Sequence, residues 1–96
     1  MSARYVWDPN KAAANEQKHG VSFVEAVTAF ADPLAIIVDD GVHAERAVLV
    51  GMSFRTRILV TIFLVTIFIE QDHEVTRLVS ARLATRPERR RYEEGE

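Results

Sequence analysis

The spacing of apolar positions changes along this chain of 96 residues, and each change marks an element. The opening Tyr5–Asp8, "YVWD", reads as a short strand. Asp8-Pro9 then predicts a helix start, with a carboxylate for the free N–H groups and proline at the first helical position. The alanine-rich "NKAAANEQKH" continues that helix and stops at Gly20, the residue suited to a left-handed cap. Val21-Ser22 opens a second helix, and Ser22 with Glu25 has the spacing of a capping box. Phe23, Ala26, Val27 and Phe30 follow at i, i+3, i+4 and i+7, which turns one face inward. Asp32-Pro33 ends it.

Beyond Pro33 the period shortens. "LAIIVDD" and "RAVLVGMS" are β-branched runs separated by the polar "GVHAE", which predicts antiparallel strands. "RTRILVTIFLVTIFIE" is a third strand, and "EVTRLVSAR" a fourth after a turn around Gln71-Asp72-His73. Thr85 and Glu88 form another capping box and launch a C-terminal helix, "PERRRYEE". The expected architecture is α+β over residues 1–96 as one domain. It has two N-terminal helices, an antiparallel sheet of about four strands with an overlong third strand, and a closing helix.

Within the third strand one pentapeptide, LVTIF, is written twice, at Leu59–Phe63 and Leu64–Phe68. Side chains alternate across a strand, so a repeat of odd length turns the second copy's faces over. Thr61 and Thr66 then point to opposite sides, as do Phe63 and Phe68. At about 3.3 Å per residue the run Ile58–Ile69 extends roughly 36 Å, whereas a domain of this size is about 30 Å across. The strand therefore carries a bulge, or its second half pairs with another chain, with strand exchange between two copies as the obvious form. The same run falls short of the roughly 20 residues a membrane-spanning helix needs, so it reads as core and not as a membrane segment.

Composition narrows the function classes. The chain has 48% hydrophobic and 27% charged residues, which are ordinary globular values. It has no cysteine, which excludes a disulfide framework, a thiolate metal site and a cysteine nucleophile. The start "MSARYVWDPNK" lacks the charged and apolar regions of a secretory signal, so the expected location is the cytoplasm. A net charge of −2 conceals a segregation. Between Arg77 and Arg91 stand Arg77, Arg82, Arg86, Arg89, Arg90 and Arg91 against the single acid Glu88. That run is either a solvated, salt-bridged helix or an electropositive face suited to phosphate.

The histidines are scattered, without the spacing of metal ligands, and neither metal nor cofactor is expected. His19 lies beside Lys18 at a helix C-terminus, where a cation is favoured by the helix dipole. His43 precedes Glu45 and Arg46 in a loop, an arrangement able to combine acid/base chemistry with a phosphate clamp. His73 reads as an exposed turn residue with no role. Arg55 and Arg57 share a face at the start of the third strand. Antiparallel pairing with the fourth strand would bring Arg82 back beside Arg57. Converging guanidinium groups hold a phosphodiester and stabilise its transition state without metal, because RNA supplies its own 2′-hydroxyl as nucleophile. Cross-strand salt bridging with carboxylates is the plainer account of the same charges.

The segments "VWDPNKAAANEQKHGVSFVEA", "FADPLA", "HAER" and "RLVSARLATRPERRRYEEG" together resemble the BrnT toxins of bacterial type II toxin–antitoxin systems. The resemblance implies a compact RelE-like fold, metal-independent endoribonuclease activity that inhibits translation, and neutralisation by a BrnA-like ribbon-helix-helix antitoxin. Residue by residue it falls on Lys18, His19 and Gly20; on His43, Glu45 and Arg46; on Arg57; on Arg77, Ser80 and Arg82; and on Glu88, Arg89, Arg90 and Tyr92. The expected catalytic groups are Arg57, Arg82, His43 and Glu45, with Lys18, His19, Arg46, Arg55, Arg77 and Ser80 on the RNA. Family members have one apolar pentad followed by Thr-Glu-Arg. Here two copies lead into Ile69-Glu70-Gln71, which bears on whether Arg57 and Arg82 meet within one chain or across a strand-exchanged dimer. The competing reading is a non-catalytic interaction module on the same fold.

Overall fold

In the computed structural model the described residues are 2–71 and 73–95. The elements run β1 (Ser2–Val6), α1 (Pro9–His19), α2 (Phe23–Thr28) with a short 3-10 turn, β2 (Ile36–Asp39), β3 (Ala47–Met52), β4 (Ile58–Phe68), β5 (His73–Leu83) and α3 (Arg86–Glu94). The local signals do what their chemistry dictates. The Asp8 carboxylate accepts from the Asn10 N–H at 2.8 Å, and Gly20 caps α1 at φ 70°. Thr85 and Glu88 close a reciprocal capping box at α3.

The sheet has five strands in the order β1-β5-β4-β3-β2. It corrects the expectation of a purely antiparallel sheet of about four, because β1 joins the border parallel to β5, from Ser2 opposite His73 to Val6 opposite Arg77. Past Val6 the chain leaves for α1, and the rest of β5 lacks a strand on that side. There Asn15 of α1 substitutes for one. Its Oδ1 accepts from the Ala81 N–H at 3.1 Å, and its Nδ2 donates to the carbonyls of Ala81 at 2.8 Å and Val21 at 3.0 Å. Buried backbone groups that a strand would have satisfied are thereby satisfied by one side chain.

Alternation assigns the two faces. Leu59, Thr61 and Phe63 of β4 and Leu78 and Ala81 of β5 are buried towards α1 and α2, against Val21, Phe23, Ala26 and Phe30. Val50 and Val60 face the other way, under Tyr92 of α3. The Tyr92 hydroxyl donates to Asp32, which ties α3 back to the end of the α2 segment. Burial works against ionised Asp32, but hydrogen bonds from Tyr92 and from the Met52 and Leu34 N–H groups hold its carboxyl below the usual range. The Tyr92 phenol, desolvated and facing that carboxylate, is pushed up to about 12.

The doubled pentad divides at Phe63. The first copy is flanked by β3 and β5, and the last β3 pair is Ala47 with Phe63. The second copy pairs only with β5 of its own chain, from Leu64 opposite Arg77 to Phe68 opposite His73. The faces invert as the odd repeat requires: Thr61 is fully buried and Thr66 exposed, Phe63 buried and Phe68 41% exposed. A bulge is present, but on β5. Ile62 opposes Ser80 and Phe63 opposes Leu78, which leaves Val79 as the extra residue. This one residue turns Leu78 into the helix-side core and Arg77 onto the opposite face. The long hairpin stretches the molecule to 41 × 30 × 28 Å. Asp72, in the expected turn, lies outside the described residues. His73 is the first residue of β5 instead, half-buried, with its ring stacked on Phe68 at 5.0 Å.

Candidate functional site

The cations gather at two places along α1. At its C-terminal end lie Lys18, His19, Arg55 and Arg57. Arg57 does not stand free. Its Nε donates to Glu25 Oε2 at 2.9 Å, one Nη to the other Glu25 oxygen, and the same nitrogen to the Gly20 carbonyl at 3.1 Å. Glu25 is 3% exposed and also accepts from Ser53 Oγ at 2.7 Å, while Arg55 stands 3.8 Å away. The Arg57 hydrogen bond holds the Glu25 carboxyl below its ordinary range despite burial, and Glu25 raises Arg57 in turn. Glu25 therefore anchors β4 rather than reaching back to cap α2. Ser22 alone makes that cap, at 3.0 Å to the Glu25 N–H.

Arg82 is likewise engaged, in a bidentate pair with Glu88 at 2.8 and 2.9 Å. That pair, with the Thr85 cap, brings the Glu88 carboxyl down to about 2. Arg57 and Arg82 do not converge as expected. The register places Arg82 opposite Val60, on the α3 face, whereas Arg57 points to α2. They share one end of the sheet and lie on opposite sides of it. The remaining surface of Arg57 lines a pocket of about 490 Å³ with Thr56, Arg89 and Glu93. Arg89 belongs to the C-terminal arginine run and to the positions on which the family resemblance falls, but was not among the expected catalytic or RNA-binding residues.

The second gathering is near the N-terminal end of α1. Continuing the β3–β4 register one step beyond Ala47 sets Arg46 beside Leu64, and Leu64 opposes Arg77. Lys11, in the first turn of α1, joins them. Lys11, Arg46 and Arg77 line one pocket of about 170 Å³ together with Asp8 and Leu64. Among the described residues none of the three cations has a carboxylate oxygen within 4.0 Å, and the buried Arg46 Nε has no hydrogen-bond partner. Arg46 also lines the adjoining hollow of the β2–β3 loop with Asp39, Asp40 and His43. There His43 Nδ1 lies 3.7 Å from Glu45 Oε1, both largely exposed. Ser80, opposite Ile62, is on the same open face. Of the expected residues the fold thus groups His43, Glu45, Arg46 and Arg77, and sets Lys18, His19, Arg55 and Arg57 apart, roughly 20 Å along the sheet. Lys11 was missed, although Asp8-Pro9 fixes it in the first helical turn. Among the described residues no three His, Asp or Glu side chains come together as a metal site would need, and no helix is long and apolar enough to cross a membrane.

Over residues 7–88 the chain matches the family model described as the ribonuclease toxin, BrnT, of type II toxin–antitoxin systems. The chain belongs to the BrnT toxin family. A BrnT ribonuclease toxin from Brucella abortus, known from its crystal structure, has a similar fold, with a TM-score of 0.66 at 21% identity, over 88% of this chain and 100% of that one. None of the curated proteins matches it. Membership establishes a ribonuclease toxin in general terms, with RNA as its target and an antitoxin as its partner.

Proposed function

We propose that this BrnT-family toxin cleaves RNA without a metal at the pocket formed by Lys11, Arg46 and Arg77, together with His43 and its neighbour Glu45 from the adjoining loop hollow that Arg46 also lines. The observation that carries the reading is the set of three cations around one hollow, none with a carboxylate oxygen within 4.0 Å among the described residues although Asp8 shares the lining, and one of them with a buried, unpartnered N–H. A bound phosphodiester gives that N–H an acceptor and faces guanidinium groups placed to stabilise charge growing on its oxygens. His43 takes the proton from the 2′-hydroxyl, and Glu45 steadies the resulting imidazolium. The 2′-oxygen bonds to phosphorus, and the 5′-oxygen leaves and takes a proton from water. The products are a 2′,3′-cyclic phosphate and a 5′-hydroxyl. Arg57 and Arg82 hold the framework through Glu25 and Glu88, while Lys18, His19, Arg55 and Ser80 contact flanking RNA. A BrnA-like ribbon-helix-helix antitoxin neutralises the toxin by covering the open face.

A second reading, a binding module without catalysis, draws support from the commitment of both Arg57 and Arg82 to carboxylates. One experiment separates them. The purified chain is incubated with single-stranded RNA in excess EDTA, beside the Arg46→Ala and His43→Gln variants. Cleavage by the parent, reduced on the order of a hundredfold in each variant, supports the ribonuclease reading. Undiminished cleavage in both variants removes this pocket from the chemistry. No cleavage by any of the three favours the binding module.

A further inference from the structure

The second LVTIF pentad has a free edge. β3 begins at Ala47, opposite Phe63, so from Leu64 to Phe68 no strand among the described residues pairs with β4 on that side. Alternate residues there present N–H and C=O groups outward, a row able to accept another strand. Val65 is 46% exposed and Ile67 61% exposed, and no residue of the stretch is charged. Exchange of strands is not needed to satisfy the other edge, since β5 of the same chain already covers it.

We propose that this edge binds the same edge of a second copy, in an antiparallel pair centred on Thr66. The inference does not depend on the catalytic reading. Length selects the occupant. Pairing about Thr66 sets Val65 against Ile67 and Thr66 against itself, and brings Leu64, which has Arg46 beside it, to the end of the pair against Phe68. One step further, the partner would meet Phe63, whose edge is taken by Ala47. At that point the partner chain has left the strand for the 3-10 turn Ile69–Gln71. A register centred on Val65 would drive the partner's Phe68 against Ile62, already paired with Val48, and one centred on Ile67 would pair Leu64 with the turn. A two-fold axis through Thr66 joins the two sheets into one, with apolar pairs on both faces and no like charges opposed.

The absence of cysteine makes the test clean. Single variants Val65→Cys, Thr66→Cys and Ile67→Cys are oxidised in parallel at micromolar concentration. Directly opposed residues lie within disulfide reach, whereas residues two places out of register do not, so Thr66→Cys should crosslink on the order of tenfold faster than either neighbour. Light scattering of the unmodified chain should give twice the 10.9 kDa mass, and Thr66→Lys, which opposes two ammonium groups at an exposed position, should give the single mass with its circular dichroism intact. A chain that stays single throughout the micromolar range, or crosslinking no faster at 66 than at 65 and 67, overturns the proposal. RNA cleavage in the same samples is read separately, since Thr66 lies outside the pocket.

Discussion

Removing Arg57 should cost this protein its stability in a way that depends on pH. Arg57→Ala deletes both guanidinium bonds to Glu25 and leaves a carboxylate, 3% exposed, with the Ser53 hydroxyl as its remaining close donor. Leaving one charge of a buried pair uncompensated costs about 3–5 kcal/mol. An escape bounds the loss: Glu25 can take up a proton. From its ordinary value of 4.5 that costs about 3.4 kcal/mol at pH 7 and about 0.7 kcal/mol at pH 5. The sign is fixed by the direction of the parent's shift. Its Glu25 is held low, so its contribution is fully present above 4.5 and is lost only as pH falls through the lowered value. At pH 5 the parent therefore keeps its ion pair while the variant recovers by protonation. Urea unfolding followed by circular dichroism should show a loss of about 3 kcal/mol at pH 7, shrinking by more than half at pH 5. In thermal melts the pH 7 loss corresponds to a drop of roughly 12–25 °C. A loss under about 1 kcal/mol at pH 7, or an equal gap at both pH values, would refute the anchoring role.

Two further substitutions probe the frame around the site. Asn15→Ala leaves the Ala81 N–H and the Val21 and Ala81 carbonyls buried without their partner, and should destabilise by about 3 kcal/mol in the same urea assay. Thr56 has φ 59° in the β3–β4 turn, a conformation that costs a residue with a Cβ roughly 1–2 kcal/mol; Thr56→Gly should therefore raise the unfolding midpoint, by about 1 kcal/mol of stability.

What could be read from the sequence followed the range of the interactions concerned. Helix starts at Asp8, Ser22 and Thr85 are local events, and their caps formed where their residues stood. The parallel strand β1 was read as a strand but not placed in the sheet, because its partner lies some seventy positions away and no short-range pattern names it. Glu25 looked like half of a capping box, since spacing shows which bond is possible and not which of two bonds wins. The arginine 32 residues later offered a bidentate, charge-assisted contact that a backbone N–H could not match. The convergence of Arg57 and Arg82 failed on parity: pairing brings both to one end of the sheet, and alternation sends their side chains to opposite sides. The Lys11–Arg46–Arg77 pocket joins an α1 turn, a loop and a strand, so its members are far apart in the chain.

Val79 gives the fold a place where one residue can be lost. Its side chain takes part in no hydrogen bond, and another β-branched residue could stand in its place. It is the one extra count between Ser80 and Leu78. Delete it, and those two become neighbours whose pairings with Ile62 and Phe63 run on as an unbroken ladder, so Leu78 stays in the core and Arg77 on the opposite face. What goes is the local bend, beside a pocket that Val79 itself lines. A family built this way should vary by one residue in length at the bulge and hold its length on either side of it.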